Sequence, residues 1–85
     1  MRKSIHTAQY KVFVKVLREA RLRAGLTQVQ LAKLLGEEQT FVSKVERGER
    51  RLDVVELRAF CEAFGVPLKQ VVAAFEAALT SKRPM

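Results

Sequence analysis

Apolar residues recur every three or four positions along most of the chain, and no stretch bounded by turn signals alternates apolar with polar residues as a half-buried strand would, so every element is expected to be a helix. Gly25, Gly36, Gly48 and Gly65, with Pro67 and Pro84, divide the chain into five such stretches. The first is predicted over 7–24. Thr7 is placed to cap it, Tyr10, Phe13, Leu17, Ala20 and Ala24 share one face, and Gly25 stands where a left-handed residue ends a helix. Val12, Val14 and Val16 exceed that stripe. A second helix opens at Thr27, where T-x-x-Q to Gln30 has the form of a capping box, buries Leu31, Leu34 and Leu35, and stops at Gly36. The third is expected from Glu38 to Glu46. The fourth, over 53–64, opens with a second capping box, Asp53-x-x-Glu56, and buries Leu57, Phe60, Cys61 and Phe64 before Gly65. Pro67 suits the first turn of a fifth over 67–79, with Leu68, Val71, Val72, Phe75 and Leu79 on one stripe. A flexible tail is expected over 80–85.

Composition narrows the class. Eighty-five residues at 48% hydrophobic content make one small all-α domain with a compact core. No apolar run approaches the roughly 20 residues of a membrane span. Lys11 and Lys15 interrupt the stretch behind the basic start, so no signal peptide is expected. Cys61 is the single cysteine, so no internal disulfide can form, and a cytoplasmic setting is expected. The net charge of +7 suits a polyanion such as nucleic acid. It is unevenly placed: Arg2, Lys3, Lys11, Lys15, Arg18, Arg21 and Arg23 face only Glu19 within residues 1–23, while the remainder is close to neutral.

The stretch 27–46 is the most informative. Two short helices joined by a few residues around Gly36 must meet at a sharp angle, which is helix-turn-helix geometry. Ala32 lets the third helix cross closely, and Val42 and Val45 give that helix something to bury. Stepping about 100° per residue from Gln39, Ser43, Arg47, Thr40 and Lys44 fall on one arc, with Val42 and Val45 opposite and Phe41 at the buried edge. The exposed arc is polar or cationic. A Gln amide can pair with N6 and N7 of adenine, Lys can donate to guanine O6 and N7, and Ser or Thr can reach a base or a phosphate. An ordinary solvated helix face has the same composition, so it is the position of this arc, on the second helix of a tight pair in a basic chain, that points to DNA.

The ordered fragments Leu17-Arg18-Glu19-Ala20-Arg21, Ala24-Gly25-Leu26-Thr27-Gln28, Leu31-Ala32, Leu35-Gly36, Val42-Ser43-Lys44-Val45-Glu46-Arg47-Gly48 and Arg50-Arg51-Leu52-Asp53 resemble the phage-repressor and Cro-type helix-turn-helix family, also called the xenobiotic-response-element family. The resemblance covers about 17–68. It implies a compact five-helix, lambda-repressor-like domain that binds double-stranded operator DNA as a homodimer and regulates transcription, as a repressor or autoregulator. Carried over by position, Gln39, Thr40, Ser43 and Lys44 would contact bases, and Gln28, Arg47, Arg50 and Arg51 the backbone. Arg21 and Glu46 would form a structural ion pair between the first and third helices. Two positions depart from the pattern: Glu37 stands where an apolar residue is usual, and Glu38 where Ser or Thr usually caps the recognition helix.

The apolar fifth helix offers a dimer contact through Leu68, Val71, Val72, Phe75 and Leu79, although the same stripe could close the monomer's core. Phe41 could pack inside, touch a thymine methyl or meet a partner protein, with packing preferred. An enzyme is not expected, because His6 lies near the N-terminus, Cys61 falls on an apolar face, and no carboxylate pair occupies an apolar setting. One Cys and one His far apart do not make a zinc site. No cofactor, metal, small-molecule ligand or membrane partner is therefore expected. The rival reading is a protein-interaction or RNA-binding module that keeps the helix-turn-helix frame.

Overall fold

The structure, a computed structural model, describes residues 3–81, with side chains from residue 8 onward. It contains five helices, α1 (Lys3–Arg23), α2 (Gln28–Leu35), α3 (Gln39–Glu46), α4 (Val54–Phe64) and α5 (Leu68–Ser81), and no strand among the described residues. Two boundaries differ from expectation by more than one residue. α1 passes through Thr7 and begins at Lys3, since a capping side chain is a local preference that a continuing helix overrides where no Gly or Pro stops it. α5 extends beyond 79 to Ser81, and residues 82–85 of the expected tail lie outside the described chain.

Both capping boxes form. The Thr27 hydroxyl accepts from the Gln30 N–H at 3.1 Å while Gln30 Oε1 accepts from the Thr27 N–H at 2.9 Å. Asp53 and Glu56 repeat the exchange at 2.7 and 2.9 Å. α2 ends on Gly36 at φ 70°, a left-handed conformation costly for a residue with a Cβ. There the Glu37 N–H reaches the Ala32 carbonyl at 2.9 Å, the closing bond of a Schellman motif. This reversal aims α3 across α2.

Leu17, Leu31, Val42, Val45, Phe60 and Cys61 are essentially inaccessible, and Val16, Ala32, Leu57, Phe64 and Val71 complete a core to which all five helices contribute. Phe60 meets Phe64 edge-on at 6.2 Å. Burial pushes the Cys61 thiol above its ordinary pKa, so it is held protonated. Leu34 was expected inside and is 61% exposed. The buried arc of α2 is centred between Leu31, Ala32 and Leu35, and Leu34 falls about 60° beyond Leu31 on the side away from it.

α5 takes up one of the two roles left open for its stripe, packing against the chain's own core. Val71 is buried in the chain's own core, Leu68 packs against that core, and Phe75 meets Phe13 of α1 edge-on at 5.8 Å. Leu79 is half-buried. Only Val72 of the five proposed dimer residues remains outside, at 44% exposure. The stripe closes the monomer, because α5 must cover the apolar face of α1.

Candidate nucleic-acid interface

α3 is held from beneath by Val42 and Val45, both fully buried, with Ala32 of α2 against them in the core. Its outer arc presents Gln39, Thr40, Lys44 and Arg47 to solvent, with Ser43 half-buried. Phe41 turns inward, 6.1 Å from Phe60. The five polar residues expected on the outer arc of α3 therefore share one face, and Phe41 packs.

A continuous set of hydrogen bonds fixes this arc to the core. Arg21, 6% exposed, donates from Nε to Glu46 Oε2 at 2.6 Å, from Nη2 to Glu46 Oε1 at 3.0 Å and from Nη1 to the Leu26 carbonyl at 2.9 Å. Gln28 Nε2 donates to Glu46 Oε1 at 3.0 Å, and Gln39 Nε2 donates to Gln28 Oε1 at 2.8 Å. The forked Arg21–Glu46 pair joins α1 to α3 with its polar atoms satisfied, the condition under which buried charge is tolerable. Gln28 lies between the buried pair and the exposed Gln39. Gln39 keeps its carbonyl oxygen and one N–H for a base edge.

The basic residues after Gln39 sort by what occupies them. Arg47, at the C-cap of α3, forks onto Glu49 at 3.0 and 3.1 Å and touches the Ser43 hydroxyl. The hydrogen-bonded Arg47–Glu49 pair raises the Arg47 pKa and lowers that of Glu49. Both side chains are more than half exposed, so the pair is weak and can yield to phosphate. Arg50 forks onto Glu56 at 3.0 and 2.6 Å and lies 5.1 Å from the Phe41 ring centroid. Hydrogen bonding from Arg50, then from the Asp53 N–H, holds the Glu56 carboxyl at about 2. Arg50 thus ties the α3–α4 loop to α4. The capping pattern Asp53-x-x-Glu56 was legible, but that the second Glu56 oxygen would take Arg50 was not. Arg51 has no carboxylate partner among the described residues and stands 4.3 Å from the Tyr10 ring centroid.

Glu37 and Glu38 are exposed beside Thr40 and Lys44, at the entrance to α3. Glu38 has N-cap backbone geometry but makes no capping hydrogen bond through its side chain. Its charge at the helix N-terminus is favoured by the dipole.

A close-packed helix pair whose second member exposes a polar, core-anchored arc defines a helix-turn-helix DNA-binding domain. The family model for helix-turn-helix domains matches residues 17–71. Among solved structures, an XRE-family-like protein from Pseudomonas syringae pv. tomato str. DC3000 is 47% identical, with a TM-score of 0.80 over 88% of this chain and 92% of that one. The restriction-modification controller protein C.AhdI from Aeromonas hydrophila is 33% identical, with a TM-score of 0.69 over 75% and 97%. The clp gene regulator ClgR from Corynebacterium glutamicum shares the fold at 22% identity, with a TM-score of 0.78 over 87% and 79%. A comparison with curated protein sequences finds no match. The chain belongs to the XRE-type helix-turn-helix family of DNA-binding transcription regulators.

Proposed function

We propose that this chain binds a pseudo-palindromic operator in double-stranded DNA as a homodimer and represses transcription, including its own. The observation that carries this reading is the hydrogen-bonded series from buried Arg21 through Glu46 and Gln28 to exposed Gln39, which orders a base-reading amide before DNA arrives. Gln39, Thr40, Ser43 and Lys44 contact bases. Gln28, with one N–H to spare, Arg47 and Arg51 contact phosphates, and Arg50 braces the loop that carries Arg51. The likeness to a restriction-modification controller supports a regulatory role. Self-association uses the apolar residues left outside the core on α4 and α5, Val54, Val55 and Val72, in place of the inward-turned stripe.

The test is selection of bound duplexes from a random library at about 0.15 M salt, where surface charges alone are largely screened. The expected product is a twofold motif with half-sites one DNA turn, roughly 34 Å, apart. Gln39→Ala should then cost about 1–3 kcal/mol on that site and relax preference at one base pair. Folded protein that selects no motif would overturn this reading in favour of a protein-interaction or RNA-binding module.

A further inference from the structure

Tyr10 lies upstream of the residues matched by the family model, which begin at 17, yet it touches the loop that follows the recognition helix. Its ring centroid is 4.3 Å from the Arg51 guanidinium carbon, and its hydroxyl accepts from the Leu52 N–H at 3.3 Å. The ring is backed by Phe13 at 5.4 Å, which in turn meets Phe75 of α5 at 5.8 Å. One side chain of α1 therefore holds both a cationic head in the loop and the backbone beside it, and is itself held by α1 and α5.

A planar guanidinium has two separable binding surfaces. Its face attracts an aromatic ring and its edge carries the N–H fork that suits phosphate. In Arg47 and Arg50 the edge is already occupied by Glu49 and Glu56. Among the described residues only the face of Arg51 is engaged, so toward them the fork stays open while the side chain is ordered in advance, and less rotamer freedom is lost when phosphate binds.

We propose that Tyr10 is a positioning residue for DNA binding, holding Arg51 with its N–H edge presented to the phosphate backbone. The proposal rests on the reading that this loop meets DNA.

The test is a double-mutant cycle on one duplex, read as affinity and salt slope, with wild type, Tyr10→Leu, Arg51→Ala and the double variant. Arg51→Ala should lower the slope of log affinity against log salt by about 0.9. Tyr10→Leu should weaken binding to all duplexes alike by about two- to fivefold, the size of an exposed cation–π contact. In the Arg51→Ala background that loss should vanish, because two residues acting through one contact are not additive. A Tyr10→Leu loss of equal size in both backgrounds, or no loss in either, overturns the positioning role. Wild-type protein that binds no duplex overturns the DNA reading and this proposal with it.

Since Tyr10 is the only tyrosine, ring-labelled tyrosine gives an NMR probe that needs no change at position 10, should Tyr10→Leu fail to fold. Its resonances should move on duplex addition to wild type and stay in place in Arg51→Ala. Equal movement in both proteins, or none in wild type that binds, contradicts the proposal.

Discussion

Four arginines near α3 have the same chemistry and different uses, set by which surface of the guanidinium the fold occupies. Arg21 spends its fork on Glu46 and a third N–H on the Leu26 carbonyl, in a setting where both side chains are at least nine-tenths buried. Removing one member of such a pair leaves an uncompensated buried charge, which costs far more than the intact pair contributes. Glu46→Ala should therefore lower unfolding free energy by about 3–5 kcal/mol, read as a lower urea midpoint at unchanged slope. A loss within about 0.5 kcal/mol, the range of an ordinary surface substitution, would mean that Arg21 finds water and that the pair does not hold α3. Arg50 and Arg51 are neighbours with opposite expectations. Because Glu56 and Phe41 already hold Arg50, Arg50→Ala should change the salt dependence of DNA binding by much less than the slope of about 0.9 expected per phosphate contact, whereas Arg51→Ala should remove about that amount. Equal slopes for the two variants would show that Arg50 leaves Glu56 for phosphate on binding.

Elements meet through side chains that serve two of them at once, and Glu56 is the clearest case. One oxygen closes the capping box of α4 and both accept from Arg50 in the α3–α4 loop. Its carboxyl sits at about 2, below the roughly 4.3 of an unfolded chain. A carboxyl depressed on folding adds stability that is fully present above the unfolded value and is lost as pH falls through the folded one. The stability advantage of wild type over Glu56→Gln should therefore shrink as pH falls from about 5 to about 2, measured as urea midpoints across that window. A difference independent of pH would remove the Arg50 tie from the folded state. Local signals made most of this architecture legible: both capping boxes, the Gly36 and Gly65 stops, and the polar arc of α3 follow from residues three or four apart. The Arg21–Glu46 pair, 25 residues apart, came only through family resemblance. Contacts without such a precedent stayed hidden, because spacing carries no information on which side chains meet across a fold. Arg50–Glu56 crosses a loop, and Tyr10 reaches Leu52 over 42 residues. Leu34 shows the limit of hydrophobicity itself, since an apolar residue two positions from Ala32 lies outside the arc that Ala32 fixes.

At the scale of the molecule, most of the apolar stripe of α5 packs against the chain's own core, and the surface proposed above for a second copy lies outside it. α5 turns Leu68, Val71 and Phe75 inward against the rest of the chain, so the proposed second copy would use what is left. Val54 and Val55 at the start of α4 are 64% and 74% exposed, and Val72 on α5 is 44% exposed. In a twofold interface each substitution enters twice, and near the axis a new carboxylate faces its own copy across low-dielectric contact. A charge at these positions should cost the isolated fold little, within about 0.5 kcal/mol for surface sites, while opposing self-association strongly. Val55→Glu and Val72→Glu should thus keep the wild-type urea midpoint at low protein concentration, sediment as monomers where wild type sediments as a dimer, and bind a full operator no more tightly than a half-site. The last effect follows because the second half-site is engaged at high effective concentration only when the two reading heads are joined. Variants that sediment and bind as wild type does would place the twofold elsewhere on the surface. A wild-type protein that is monomeric on its selected operator would remove the twofold altogether, and with it the expectation of a palindrome.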